Sequence, residues 1–117
     1  MQYSLNLPNR PFDAIKKGTK KVEGRVPKEI PNKYQKMKQG DVILITNEDT
    51  GEKMKVSVTF VHHYPDTRTM LETERVENVL SSGRTIEQGI ESYNSFTRYK
   101  ENLPKYGIYA IGVKPIV

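Results

Sequence analysis

The sequence predicts an α+β fold on a small, mainly antiparallel and curled sheet, and three observations carry that expectation. Period-two alternation of apolar and polar residues marks strands near the start and in the middle of the chain. A turn-type segment, EDTGE, joins two of those strands as a hairpin. Between them and a last β-rich segment the period becomes helical, which groups the helices instead of alternating them singly with strands. The element order reads β-α-β-β-β-α-α-β. At 117 residues the chain suffices for one modest core and not two, so residues 1–117 are expected to form a single domain.

Gln2 to Leu7 alternates Tyr3, Leu5 and Leu7 with polar neighbours, the pattern of a half-buried strand. NRPFDAIKKG follows as a short helix: Pro11 suits the first turn, Phe12 and Ile15 form a narrow apolar stripe, and Gly18 stops it. Lys20 to Val26 is read as the second strand. PKEIPNKYQKMKQGD, with its two prolines, is a loop with one helical turn around Lys33 to Met37. DVILITN is a continuous apolar run, hence a well-buried strand. In the strand after EDTGE, Met54, Val56, Val58 and Phe60 share one face, and Lys53, Lys55, Ser57 and Thr59 the other. Beyond HHYPD, TMLETERVENVLSS reads as helical or twice-broken helical, opened by Thr69 and Glu72 as a capping box. Thr85 and Gln88 form a second box, opening TIEQGIESYNSFTRYKE, where Ile86, Ile90 and Tyr93 recur at i, i+4, i+7. YGIYAIGVKPI closes the chain as a strand.

No apolar run approaches the length that spans a bilayer, and MQYSLNLPNR lacks the basic-then-apolar pattern of a secretory signal. The absence of cysteine excludes disulfides and thiolate chemistry and suits a cytoplasmic protein. Nineteen basic against fourteen acidic side chains give +5, a surplus that attracts nucleic acid and other polyanions or simply keeps a small protein soluble.

The most charged segment is KGTKKVEGRV, residues 17 to 26. In an extended chain Lys21, Glu23 and Arg25 share one face, with Val22, Gly24 and Val26 on the other beside Lys20. This is either a mixed-charge outer face or a constellation that grips an anionic ligand. Gly24 in mid-strand marks a bulge or a close approach of backbone or ligand. Arg25, oriented by Glu23, suits a phosphate or a base edge. His62 and His63 end a strand and point to opposite faces, with no third ligand suitably spaced, so no metal site is expected. Lys33, Lys36 and Lys38, with Tyr34 among them, form a basic loop fit for an RNA backbone or for solvent.

FDAIKKGTKKVEGRV resembles the signature of the ASCH domain family, small proteins related to the RNA-binding PUA domains. The shared features are a short helix ending in glycine and a Lys-x-x-Glu-Gly-Arg pattern, here Lys20, Glu23, Gly24 and Arg25. The family's order continues through Gly40-Asp41 before an apolar strand, a strand ending near Tyr64, and a helix with Met70-Leu71. A helix with Tyr93 and Phe96 and a last strand opened by Tyr106-Gly107-Ile108 complete it.

The resemblance implies a PUA-like sheet or β-barrel flanked by helices, with a cleft where Lys20, Glu23, Gly24 and Arg25 gather. It selects Lys20 over Lys21, by projection from the turn before the strand or by a bulge at Gly24. A lysine buried between valines is costly, which favours the turn. The function implied is binding of RNA or a nucleotide-containing ligand, with no cofactor. Lys20 and Arg25 would contact phosphate or base edges, and Glu23 would orient them and accept from a base amino group. His63, which parity turns toward the cleft, Tyr64 and Tyr93 would add to the ligand site, and the family also places Tyr99 and Tyr106 near it. Core packing is the competing role for the Tyr93 ring.

The alternative is a hydrolase of the same fold, with Lys20 and Glu23 catalytic. As a ribonuclease, Lys20 and Arg25 would stabilise phosphate charge while Glu23 or His63 moves protons. As an amidohydrolase on N4-acetylcytidine, the family's threonine three residues after the lysine is replaced by Glu23, so the hydroxyl nucleophile is missing. A protein adaptor is the third reading, and it expects the charges dispersed on a flat surface.

Overall fold

The computed structural model describes residues 2–81 and 84–116. Its elements are β1 (Gln2–Leu7), α1 (Asn9–Lys17), β2 (Val22–Arg25), a 3-10 turn (Lys33–Gln35), β3 (Val42–Asn47) and β4 (Lys53–Tyr64). These are followed by α2 (Thr67–Glu74), α3 (Val76–Val79), α4 (Ile86–Asn94), α5 (Tyr99–Tyr106) and β5 (Ile108–Pro115). The sheet order is β1-β3-β4-β5-β2; β1 and β3 run parallel and the other three pairings are antiparallel. The sheet curls into a half-barrel, bringing its two edge strands within reach of one side chain: the Arg25 Nη2 on β2 donates to the Asn6 carbonyl on β1 at 3.0 Å.

Neither edge at this seam pairs with the other, and side chains take up the edge backbone groups that a neighbouring strand would otherwise fill. Lys33 Nζ donates to the Ser4 carbonyl at 3.0 Å, two residues from the Arg25 contact on β1. The hydroxyl of Tyr93 meets the backbone of Gly24 on β2, and that of Tyr99 the backbone of Val26 just beyond it. The seam therefore stays open as a slot plugged by polar side chains.

Two apolar clusters flank the sheet. Inside the curl lie Leu5, Ile43, Ile45, Val56, Val58 and Ile111 with Phe12 and Ile15 of α1. Between the sheet and α2–α5 lie Val22, Val26, Met70, Leu71, Tyr93, Ile108 and Ala110. Strand β5 serves both, with Tyr109, Ile111 and Val113 inward and Ile108 and Ala110 outward, which explains its unbroken apolar run. Strand β3 meets only the inner cluster: Ile43 and Ile45 are fully buried while Val42 and Leu44 are half-buried, so DVILITN alternates and is not buried throughout.

Several local expectations hold. Gly18 ends α1 in the left-handed conformation (φ 83°). Thr85 and Gln88 make their capping box. The helical turn after Asn32 is a 3-10 turn with its own box to Gln35. Other expectations need correction. The second strand begins at Val22, not Lys20. Helix α2 starts earlier than Thr69, because the Asp66 side chain accepts from Thr69 N at 2.7 Å and caps it. The helical segment then breaks at Arg75, whose φ is 76°, and again at Leu80; its expected end at Ser82 lies outside the described residues. Arg98, at φ 66°, divides the long helix expected from Thr85 into α4 and α5, and Tyr106 ends α5 instead of opening β5.

Phe60 does not share a face with Val56 and Val58. The pairing of β4 with β5 slips between Val58 and Phe60, leaving Thr59 as an extra residue, and the parity reverses. Phe60 and His62 then stack on the outer face with Tyr64 edge-on to His62, while Val61 and His63 turn to the inner side.

Helix α1 is anchored from the β3–β4 turn. Pro8 offers no side-chain cap, and the Asp49 carboxylate accepts from Asn9 N at 2.8 Å in its place. Fully buried Asn47 holds that turn, accepting from Asp49 N and donating to the Asn9 side chain. Pro8 and Pro11, at the start of α1, are thereby fixed beside the seam. No helix among the described residues is long and apolar enough to cross a membrane.

Candidate functional site

The site starts at the end of α1. Thr19 N and Lys20 N both donate to the Ala14 carbonyl, at 3.0 and 3.1 Å, which turns the chain sharply so that Lys20 lies just before β2. Lys20 thus leaves from the turn, as the family pattern implied, yet its side chain is buried at 4% exposure. Its ammonium has three donors and three acceptors around it: the Val22 carbonyl at 2.7 Å, the Val79 carbonyl and Glu23 Oε1 at 3.3 Å. One cation ties the α1–β2 turn, β2 and the end of α3 together. Lys21, by contrast, is exposed.

Glu23 and Arg25 face inward, opposite Ile111 and Tyr109 of β5 in the sheet register. The parity that groups Glu23 with Arg25 holds, and of the two readings left open for their face the solvated outer one does not apply, since both turn inward. Strand β2 is an edge in pairing only: helices cover one side and the curl encloses the other. Arg25 Nε donates to Glu23 Oε2 at 2.8 Å, so each carboxylate oxygen holds one cation.

Burial pushes the Glu23 carboxyl up, and the Lys20 and Arg25 charges outweigh it, leaving the group below its usual range. Burial pulls Lys20 below its ordinary value despite Glu23. For Arg25 the carboxylate outweighs burial, and the guanidinium is held above its ordinary value. A depressed carboxylate contributes stability that is complete above its unfolded-state pKa and is lost as pH falls through the lower folded value. Stability is therefore expected to fall steeply below about pH 4.5, where protonating Glu23 strands two buried cations. In Glu23→Gln that part of the acid slope should vanish from the pH dependence of urea midpoints.

Gly24 makes the neighbouring wall possible. A Cβ there would lie 2.5 Å from Tyr93 Oη and 3.0 Å from its Cζ, so the phenol packs where a side chain would otherwise stand. Tyr93 and Tyr99 are nearly parallel, 6° apart at 6.3 Å between centroids, and Phe96 is edge-on to both at 5.7 and 5.3 Å. Tyr93 is buried, and burial raises its phenol well above the usual value and that of Tyr99 to about 12, so both stay neutral. Phe96 is 48% exposed and offers its ring to solvent.

These groups line one cavity of about 410 Å³ at the seam. Lys20, Glu23, Arg25 and Arg84 supply its charge, Tyr93, Phe96 and Tyr99 its aromatic surface, and Pro8 and Pro11 come from α1. Of the residues singled out from sequence, Lys20, Glu23, Gly24, Arg25 and Tyr93 converge here. His63 and Tyr64 do not line the cavity. After the Thr59 slip, His63 Nε2 meets the Tyr106 carbonyl at 2.7 Å with its ring against Tyr109, and the Tyr64 hydroxyl donates to Glu74, which also pairs with His62. Tyr106 is likewise absent from the lining, whereas Tyr99 belongs to it. Sequence reasoning did not select Arg84, Asn6 or Phe96 for the site. Phe96 carried a signal, three residues beyond Tyr93, while nothing local marks Arg84. Among the described residues no group of three or more His, Cys, Asp or Glu is placed to hold a metal ion.

The family model of the ASCH domain matches residues 5–117. The chain belongs to the ASCH domain family. This ASCH domain is similar to a crystal structure of hypothetical protein PH0355, with 35% identity, a TM-score of 0.84, and 99% of this chain and 100% of that one covered. It is also similar to the solution structure of protein PF0455 from Pyrococcus furiosus, with 38% identity, a TM-score of 0.77, and 99% and 98% covered. The ASCH domain from Lactobacillus crispatus JV V101 shares the fold at 16% identity and a TM-score of 0.65, with 97% of this chain and 79% of that one covered. No curated protein matches. The ASCH fold is the PUA-like one, a curled mixed sheet in a half-barrel with helices around it.

Proposed function

We propose that this ASCH domain, with residues 1–117 acting as one unit, binds RNA or a nucleotide-containing ligand by taking one base into the seam cavity. The observation that carries the reading is the buried Glu23 carboxylate, locked between Lys20 and Arg25, in a cavity that also holds an exposed aromatic ring. A carboxylate has about four lone-pair sites. With two engaged, Glu23 retains acceptor capacity for a base amino group. Phe96 is the stacking platform, since aromatic faces hold bases of any sequence. Arg25 and Arg84 supply positive charge for the phosphate. The volume lies in the range of small-ligand sites, roughly 300–1,000 Å³. Such a ligand suits the cytoplasmic location that the cysteine-free sequence suggests.

Lys20 takes a different role from the phosphate contact expected of it. Its donors are committed to two carbonyls and Glu23, so it positions the carboxylate. The same commitment weighs against the hydrolase reading, which needs Lys20 free to activate a nucleophile or meet developing charge.

The test is calorimetric titration with nucleoside monophosphates and short unstructured RNA. Phe96→Ala is expected to weaken binding about 5- to 150-fold, the range of a lost base stack of about 1–3 kcal/mol. Because Phe96 is exposed, the variant should fold normally. Unchanged affinity would sink the proposal.

A further inference from the structure

We infer that the cavity is the middle station of a path for single-stranded RNA, gripping an internal nucleotide with chain entering past Lys33 and leaving past Arg84. The inference rests on the binding role proposed above and specifies its ligand.

Two shallower hollows adjoin the cavity, and each shares lining residues with it. One, of about 350 Å³, is lined by Ser4, Leu5, Asn6, Arg25, Lys33 and Glu48, so Asn6 and Arg25 belong to both. The other, of about 550 Å³, is lined by Arg84, Gln88, Glu91, Ser92 and Ser95, with Arg84 and Ser92 common to both. The hollows meet the cavity at different residues: one is lined from β1 and reaches it at Asn6 and Arg25, the other is lined from α4 and reaches it at Arg84 and Ser92. A free nucleoside needs only the middle cavity. A polymer needs space that continues past the cavity, and two hollows that share different lining residues with it offer that space.

The chemistry of the hollows matches a ribose-phosphate chain. Each contains a cation beside an exposed glutamate, Lys33 with Glu48 and Arg84 with Glu91. A phosphate requires the cation, and a ribose 2′-hydroxyl can donate to the carboxylate. Lys33 is exposed, and one of its three donors is held by the Ser4 carbonyl. Its ammonium also lies 5.8 Å from the Tyr34 ring centroid, which braces it at the slot. Arg25 stands at the boundary of the first hollow and the cavity, where a phosphate joining the two nucleotides would pass.

The experiment compares a nucleoside monophosphate, an unstructured RNA nonamer, the DNA of the same sequence and the RNA duplex, by calorimetry at several salt concentrations. The nonamer should bind at least tenfold more tightly than the monophosphate. Lys33→Gln, outside the cavity lining, should weaken the nonamer several-fold while changing the monophosphate less than twofold, whereas Arg84→Gln, which lines the cavity as well, should weaken both and the nonamer more. Each should also reduce the slope of log K against log salt by about 0.7, the counterion term for one phosphate on a single strand. Circular dichroism of both variants checks that the fold is intact. Equal affinity for monophosphate and nonamer, or nonamer binding indifferent to both variants, overturns the path while leaving the base pocket standing. DNA or duplex binding as tight as the single-stranded RNA overturns the ligand assignment. Binding of neither mononucleotide nor nonamer overturns the pocket reading itself, and the path with it.

Discussion

Replacing Lys20 with methionine is expected to destabilise the fold by about 3–5 kcal/mol, the range for removing one partner of a buried ion pair. Methionine matches the length of the lysine stem but has no donors. The carbonyls of Val22 and Val79 would lose their partner, and Glu23 would keep only Arg25. The effect should be read as a shift of the urea midpoint with little change in slope. In Lys20→Met/Glu23→Gln no carboxylate is left without its ammonium, and the double variant should recover more than 1 kcal/mol relative to the sum of the singles, the signature of direct coupling. A single-variant loss under 1 kcal/mol would mean that the ammonium does not tie α3 to β2.

Gly24→Ala should destabilise the fold by about 1–3 kcal/mol through overpacking, and should weaken ligand binding at least tenfold. The new methyl would stand 2.5 Å from Tyr93 Oη, so the ring must leave its place. It would lose its bond to the Gly24 backbone and its parallel stack on Tyr99, and the aromatic wall would move with it. Adding Tyr93→Phe removes the closest colliding atom and should restore part of the stability. Chemical denaturation and near-ultraviolet circular dichroism of the tyrosines separate the two effects. A Gly24→Ala protein with wild-type stability and an unaltered tyrosine spectrum would contradict the packing described.

The elements that local sequence encoded well are those whose signals act within a few residues. Gly18 stops α1 because the left-handed conformation is open to it, and Thr85 with Gln88 caps α4 through bonds inside one turn. The errors share a cause of longer range. Thr69 looked like a cap because a glutamate follows it at the right spacing, but Asp66 reached its amide first. Phe60 continued a clean alternation in the sequence, and only the pairing of β4 with β5 introduced the extra residue that turned it over. The same slip fixed the faces of His63 and Tyr64, so a parity argument applied to either could not survive it.

By itself the sequence determined the ASCH signature and the grouping of Glu23 with Arg25 on one face of β2; at Gly24 it left a bulge and a close approach of backbone or ligand both open, and the structure places the Tyr93 side chain there. The sequence could not determine which face is inside. That followed from the curl, which brings β1 against β2 although β3, β4 and β5 lie between them in the sheet. Nor could it show that Lys20 is buried and satisfied, since one of its acceptors is the Val79 carbonyl, fifty-nine residues away. A lysine's tolerance of burial depends on acceptors that the whole fold delivers, and local spacing records only the expense of burying it.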